Sequence, residues 1–305
     1  MATRLAPPQR PAWQRARPLL VFVNANASGL ARPGTSWPEA LLRLAGARAE
    51  VVATESVGEL AAAWPVGDEQ RVVLVGGDGT VHAAANLPGP RPELALIPTG
   101  RANNVARSLG IPAEPRAAAR LAVEGTSRPV DAIEATTDES SYVCVEGVSV
   151  GFLALARTRY RAANSGALLR GVAAGAGALA RFRPLGVDVR HDGTRERLRL
   201  AQLFVANLPL YEFGLRVAPH ADPEDALLDF VGVEGGGRHS IPAMLARLKT
   251  TGLLGRPGVH LWRAPRARIT THGTSPIVAD STDLGFGPVE LAALPAALRI
   301  VAPPR

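Results

Sequence analysis

Residues 71–87, RVVLVGGDGTVHAAANL, restrict the fold more than any other stretch of the chain. An apolar run ends in Gly76-Gly77-Asp78-Gly79-Thr80, and a helix-like segment follows with no linker. Gly and Asp are ordinary turn formers, so a plain tight turn is one reading. The other is a phosphate cradle. Glycines let the backbone approach an anion and let successive N–H groups converge on it. A helix starting near Thr80 points its positive end at the same spot. Asp78 then sits beside phosphates, where a carboxylate can hold Mg²⁺ or take a proton from an attacking hydroxyl. The pentapeptide by itself supports turn and cradle equally.

Its neighbours alternate strand-like and helix-like runs. Strand candidates are 19–25, 50–55, 71–76 and 93–100; helix candidates are 36–49, 57–65, 80–87 and 103–108. This βαβα rhythm predicts a parallel sheet covered by helices. Ligands of such sheets bind at the carboxyl ends of the strands. Three loops of anion-friendly composition fall at that edge: 24–29, 76–80 and 98–103. In the first, Asn24, Ser28 and Gly29 supply hydrogen-bonding and flexible positions. In the third, Gly100 turns the chain, and Asn103 either caps a helix or donates its amide to a phosphate. Taken singly, each loop is weak; three at one edge point to a bound phosphate.

After Pro129 the texture changes to short β-like runs separated by turn residues, with helical interruptions at about 163–182 and 239–253. The expected organisation is a Pro/Arg-rich tail (1–17), an α/β domain (18–128) and a mostly β domain (129–305). A chain of 305 residues that is 47% hydrophobic can fill two such cores. No apolar stretch is long enough to cross a bilayer. The tail lacks an apolar signal core, so export is not expected. Cys144 is the single cysteine, which rules out an internal disulfide and fits a reducing cytoplasm.

The net charge is +7, carried almost wholly by arginine, with Lys249 the only lysine. GC-rich codon usage accounts for most of the arginine but not for its position. No acid lies between Glu146 and Asp188, where Arg157, Arg159, Arg161, Arg170, Arg181 and Arg183 gather. Such a patch favours an anionic partner such as a membrane surface. The Gly/Ala-rich helix at 167–182 reads first as a packing helix with solvated arginines, and second as a membrane-docking one. The six histidines show no metal-ligand spacing, and His82 is expected on a helix surface. No nucleophile elbow is present. Aromatics make up only 5%, and no RNA- or DNA-binding motif stands out, so a nucleic-acid partner is not expected.

The segments VFVNANASG, VVLVGGDGTVHAAANL and LALIPTGRANNVARSLGIP together resemble the catalytic domain of diacylglycerol and sphingosine kinases. That family carries an Asn-Pro-x-x-Gly-type first loop, GGDGT after the third strand, and P-x-G-T-[GA]-N-[DN]-x-A-R-x-L-G. Thr54 falls where the family often has a strand-end Thr. The resemblance continues through VEGVSVGFLA (145–154), VAPHADPEDALLDF (217–230) and the stretch 278–302, and so covers nearly the whole chain after the tail. GGDGT alone is shared with NAD kinases.

The resemblance implies a phosphofructokinase- and NAD-kinase-like α/β domain followed by a β sandwich, with the active site in the cleft between them. It implies transfer of the γ-phosphate of ATP, with Mg²⁺, to the hydroxyl of a diacylglycerol-like or sphingoid lipid. Such an enzyme of phospholipid metabolism would be cytoplasmic and peripheral to the inner membrane face; a homodimer is compatible with the sequence. By position, Gly76, Gly77, Asp78, Gly79 and Thr80 would hold phosphates and metal. Asn24, Ser28, Gly29, Thr54, Gly100, Arg101 and Asn103 would line the rest of the pocket. Asp78 and Asp280 are the catalytic candidates, and Asp225 and Asp229 a structural metal pair.

Four departures stand out. Arg101 replaces a small Thr, and its guanidinium either clamps a phosphate or fills the pocket. Ala25 replaces a Pro. Ala226 replaces the Gly of Asp-Gly, a strained choice if that turn needs positive φ. Asp280-Ser281-Thr282 stands where the family has Asp-Gly-Glu, so a carboxylate with an assigned acid/base or metal-linked role is replaced by a hydroxyl. Two alternatives therefore stay open: a catalytically impaired nucleotide- or lipid-binding relative, and a soluble-substrate kinase of the NAD-kinase type.

Overall fold

Aliphatic and β-branched residues crowd the first strands because both faces of their sheet are covered. The computed structural model describes residues 18–26, 36–44, 46–64, 70–89, 91–162, 167–250, 252–273 and 275–305. The chain runs β1 (Leu19–Asn24), α1 (Ser36–Leu44), β2 (Ala49–Thr54), α2 (Val57–Ala62), β3 (Arg71–Gly76), α3 (Asp78–Ala85), β4 (Glu93–Pro98), α4 (Asn104–Ser108) and α5 (Pro115–Glu124). The strands are parallel in the order β2-β1-β3-β4, with Leu20 opposite Val72 and Val72 opposite Leu94. On one face Leu42 of α1 and Ala118 and Ala122 of α5 pack on Val21, Val73 and Ile97. On the other, Leu60, Val81 and Val105 of α2, α3 and α4 pack on Phe22, Leu74 and Leu96. The sequence reading lacked α5, which opens at Pro115 with the Glu114 side chain accepting from the N–H groups of Arg116 and Ala117.

The second half contains β5 (Ser127–Thr136), β6 (Ser141–Cys144), β7 (Gly147–Gly151), α6 (Phe152–Ala162), α7 (Ala167–Arg181), β8 (Leu185–His191), β9 (Thr194–Ala206), β10 (Leu210–Tyr211) and β11 (Leu215–Arg216). It continues with β12 (Leu228–Glu234), α8 (Ser240–Lys249), β13 (Val259–Ala264), β14 (Arg266–His272), β15 (Ile277–Ala279), β16 (Thr282–Asp283) and β17 (Val289–Val301). Strand β9 belongs to two layers: its first half pairs with β8, its second half with β7 and β12. Val148, Val187, Leu203, Phe230, Ile269 and Leu291 fill the space between the layers. Phe152 of α6, Ala178 of α7 and Met244 of α8 cover the outside of one layer against Phe204 and Val231. The result is a β sandwich with helices on one side.

Helix α6 begins where the sequence suggested a continuing strand. At Gly151 φ is +118°, and a Cβ there would lie 2.4 Å from the carbonyl oxygen of Ala201. Only glycine lets the strand turn away so close to its neighbour. The expected boundary at 128/129 falls inside β5. That strand pairs along its length with β17, whose Arg299 and Ile300 run parallel to Glu93 and Leu94 of β4. The chain thus returns to its first sheet, and a pair of long strands ties the two halves together.

Candidate active site

At the carboxyl end of β3 the chain enters α3 through Gly76 and Gly77. Gly77 is the N-cap and offers no capping side chain, so the opening amides of α3 face the loop. A Cβ on Gly76 would sit 2.2 Å from Thr80 Oγ1, and one on Gly77 would sit 2.8 Å from Gly100 Cα. The two phosphate-type loops are therefore pressed together glycine to glycine. Around Gly79 a Cβ would meet nothing within 4 Å. That open space is the floor of a cleft of about 520 Å³ between the two halves.

Asp78 opens α3, and its Oδ1 accepts the N–H of Val105 at 3.0 Å. Its Oδ2 has no hydrogen bond among the described residues. Asn24 donates from Nδ2 to Thr80 Oγ1 at 3.0 Å and accepts the Asn26 N–H at 3.0 Å. Asn26 in turn donates to the Glu55 carbonyl at 2.9 Å. The first loop is thereby held between β2 and α3.

The β domain supplies the opposite wall, and it is acidic. Asp280 (φ +49°) is sealed from solvent, and its carboxylate accepts the backbone N–H groups of Val145, Glu146 and Gly147 at 2.8–3.0 Å. His82 of α3 reaches across with Nε2 3.1 Å from Glu146 Oε1 and 3.4 Å from Asp280 Oδ2. Burial pulls the His82 pKa down, but Asp280, Glu146 and Asp78 outweigh it and raise it to about 9. Burial pushes the Glu146 carboxyl up, with His82 opposing. Glu146 Oε2 also accepts from Asn104 Nδ2 at 2.8 Å and from the Glu212 N–H at 3.2 Å. Tyr211 donates its hydroxyl to the Asp280 carbonyl at 3.2 Å, latching β10 to the same wall.

Glu212 and Phe213 are consecutive non-glycine residues at φ +28° and +29°. Glu212 projects into the cleft beside Arg157, whose Nε lies 3.6 Å from its Oε1. Burial raises the Glu212 carboxyl to about 7; Arg157 opposes this, while Glu146 and Asp280 add to it. Asn104 Oδ1, Arg157 Nε and Glu212 Oε1 are buried with no hydrogen bond among the described residues. Unmet buried polar atoms lining one cleft are what a polar ligand would satisfy.

The structure brings Asn24, Gly77, Asp78, Gly79, Thr80, Gly100, Arg101 and Asp280 to this cleft. Ser28 and Gly29 lie outside the described residues. Gly76 stands behind the cleft, packed on Thr80. Thr54 is buried at the end of β2, where its carbonyl accepts the Ala25 N–H at 3.0 Å, and its side chain does not line the cleft. Asn103 is also turned away. It adopts φ +49°, and its amide closes on Gly100 in both directions at 2.9 Å. Its neighbour Asn104 is the asparagine that enters the cleft.

Three further expectations change. His82 is buried, not on a helix surface. Arg157 points into the cleft instead of joining a surface patch, and Arg181 and Arg183 are exposed. The expected metal pair has an arginine between its members: Arg263 pairs with both Asp225 and Asp229, with Nε 3.1 Å from Asp229 Oδ1. No group of three or more metal-ligating side chains occurs among the described residues. Glu146 and Glu212 were missed as site residues. Their only advance signals were Glu146 as the last acid before the arginine-rich stretch and the unusual Glu-Phe pair before Gly214.

Fold and site together define an α/β domain with glycine loops at its strand ends, whose cleft is closed by a β sandwich with an acidic wall. Residues 18–135 match the diacylglycerol kinase catalytic domain, and residues 146–302 match the YegS C-terminal NAD kinase beta sandwich-like domain. A diacylglycerol kinase of Mycobacterium tuberculosis (strain CDC 1551 / Oshkosh) is 30% identical over 256 residues, covering 80% of each chain. The chain belongs to the diacylglycerol kinase and YegS-like lipid kinase family. A diacylglycerol kinase structure from Bacillus anthracis str. Sterne shares the fold with a TM-score of 0.68 at 19% identity, covering 94% of this chain and 97% of that one. An NAD kinase from Archaeoglobus fulgidus, solved in complex with ATP, is more distant, with a TM-score of 0.53 at 16% identity and 92% coverage of both chains.

Proposed function

We propose that this protein is an ATP-dependent lipid kinase that phosphorylates the hydroxyl of a diacylglycerol-like or sphingoid lipid at a membrane surface. The observation that carries this reading is the cleft itself. Opening amides of α3, the Gly77–Gly100 contact and Arg101 form an anion-friendly floor, and carboxylates form the facing wall. The floor suits the phosphates of ATP: N–H groups converge at a helix start, and the space beside Gly79 is open. Asp78 suits Mg²⁺ because one oxygen is fixed by Val105 and the other has no hydrogen-bond donor among the described residues. Bound Mg²⁺ would neutralise charge developing on the transferred phosphoryl group.

The chain's own residues do the positioning. Asn24 fixes Thr80, Asn104 and His82 fix Glu146, and three backbone amides fix Asp280. Asp280, a catalytic candidate by sequence, has both oxygens committed to donors and acts here as a strut for the wall. Arg101 and Arg157 bring positive charge to an otherwise acidic cleft. Phe213 is 61% exposed in the same lining and gives a lipid an apolar contact at the mouth. No helix among the described residues is long and apolar enough to cross a membrane. On this reading the lipid is reached at a membrane surface, with exposed Arg181 and Arg183 favouring anionic headgroups.

The test is an acceptor panel. With ATP and Mg²⁺, the protein should phosphorylate diacylglycerol or sphingoid bases in mixed micelles and leave NAD untouched. Phosphorylation of NAD with no lipid product would overturn the reading in favour of the soluble-substrate alternative.

A further inference from the structure

We propose that Glu212 is the general base that takes the proton from the attacking hydroxyl, in place of the carboxylate that Thr282 does not supply. This inference rests on the kinase reading above. Thr282 lies outside the cleft lining, and Asp283 is exposed and engaged by Thr158 Oγ1 and the Gly285 N–H. Four carboxylates line the cleft: Asp78, Glu146, Glu212 and Asp280. Hydrogen-bond accounting separates them. Asp280 accepts three backbone N–H groups and faces His82. Glu146 accepts from Asn104 and the Glu212 N–H, and pairs with His82. Asp78 sits at the phosphate end, tied to Val105. Glu212 alone receives no hydrogen bond on its carboxylate among the described residues.

Glu212 is also placed at a cost. Its side chain is 8% exposed, and it opens a run of three left-handed residues, Glu212, Phe213 and Gly214, at φ +28°, +29° and +73°. Non-glycine residues pay for that backbone, and such strain concentrates at functional positions. The charged and titratable groups around it are Arg157 from α6, Glu146 before β7, Asp280 after β15 and Tyr211 at the end of β10, with Arg107 of α4 packed against Gly214. Burial, opposed by Arg157 and reinforced by Glu146 and Asp280, keeps its proton affinity near neutrality, which is where a general base works best.

In the step, the acceptor oxygen forms its bond to the γ-phosphorus as the bond to the bridging oxygen breaks. ADP leaves with that electron pair. The hydroxyl proton passes to the Glu212 carboxylate and then to solvent.

The experiment measures transfer from γ-labelled ATP to a lipid extract, to NAD and to water between about pH 5.5 and 8.5, roughly 1.5 units either side of the Glu212 value of about 7. It compares wild type, Glu212→Gln and Glu212→Gly; glycine suits the left-handed backbone and keeps the loop folded if glutamine does not. On whichever acceptor wild type uses, its rate should rise with pH through a limb near 7. Both variants should lose about 10²–10⁴-fold in kcat with unchanged ATP affinity, the limb should vanish, and formate should restore part of the Glu212→Gly rate. Formate rescue separates a proton acceptor from a structural glutamate. Variants within about tenfold of wild type, a surviving limb or no rescue would overturn the assignment of Glu212 alone. Transfer only to NAD would sink the lipid reading and leave Glu212 standing. Transfer to none of the three would overturn both.

Discussion

Asp78 and His82 lie four residues apart on one helix and do different work. Asp78→Asn keeps an oxygen for the Val105 N–H but removes the charge that suits Mg²⁺. We expect a folded protein with transfer reduced on the order of 10²–10⁴-fold, checked by labelled-ATP kinetics beside thermal melting. His82 carries a proton up to about pH 9 in the folded chain and to about 6.5 when unfolded. A raised folded pKa means that the stabilisation is complete below 6.5 and is lost as pH rises through 9. The melting temperature should therefore fall across that window, and His82→Gln should flatten the fall. Asp280 bonds three amides and faces His82. Removing the carboxylate in Asp280→Ala should cost about 3–5 kcal/mol, read by denaturant unfolding, because three buried backbone donors lose their acceptor and buried His82 keeps Glu146 alone of its two carboxylates.

Tight turns, more than long elements, set the positions of the site. Gly77→Ala would drive a methyl into the Gly100 backbone and should destabilise by about 1–3 kcal/mol, with weaker ATP binding in a titration. A second device is Asp131, buried in β5. Its two oxygens accept the N–H groups of Ala226 at 2.7 Å and Ala296 at 2.8 Å, both residues in left-handed backbone at φ +59° and +51°. The sequence flagged Ala226 as strained if its turn needed positive φ, and it does. Ala226→Gly should raise stability by about 1 kcal/mol, measurable as a higher melting temperature. Strands β1, β3 and β4 were legible because their apolar runs end in glycine-bearing loops, and β2 because its run stops just before the Ser56 cap of α2. Helix α5 escaped although its buried positions Ala118, Ala119, Ala122 and Val123 recur at helical spacing, because small alanines do not stand out as an apolar face. Helix α6 escaped because a glycine turn that the sequence does not announce separates it from β7.

At the scale of the whole molecule, the first sheet and the sandwich are joined by β5 and β17, so the cleft is a seam between two rigid bodies that share strands. Half of the site could be read in advance. The floor comes from two short loops, and in each the strand end, the glycines and the helix start are adjacent in sequence. The wall is assembled from residues far apart, Glu146, Glu212 and Asp280, and only long-range pairing of β7 with β15 and β9 brings them together. The same reasoning separates Asn103 from Asn104, since a one-residue difference in backbone decides which amide enters the cleft. Family membership rests on both domains, and transfer of phosphate to a lipid is the claim on which the functional account stands. The most direct measurement is transfer of label from γ-labelled ATP to diacylglycerol and sphingoid base in anionic mixed micelles, with wild type and Asp78→Asn side by side. The account predicts a labelled, Mg²⁺-dependent phospholipid with wild type and on the order of 10²–10⁴-fold less with the variant. Unlabelled lipid with folded, ATP-binding wild-type protein would contradict it.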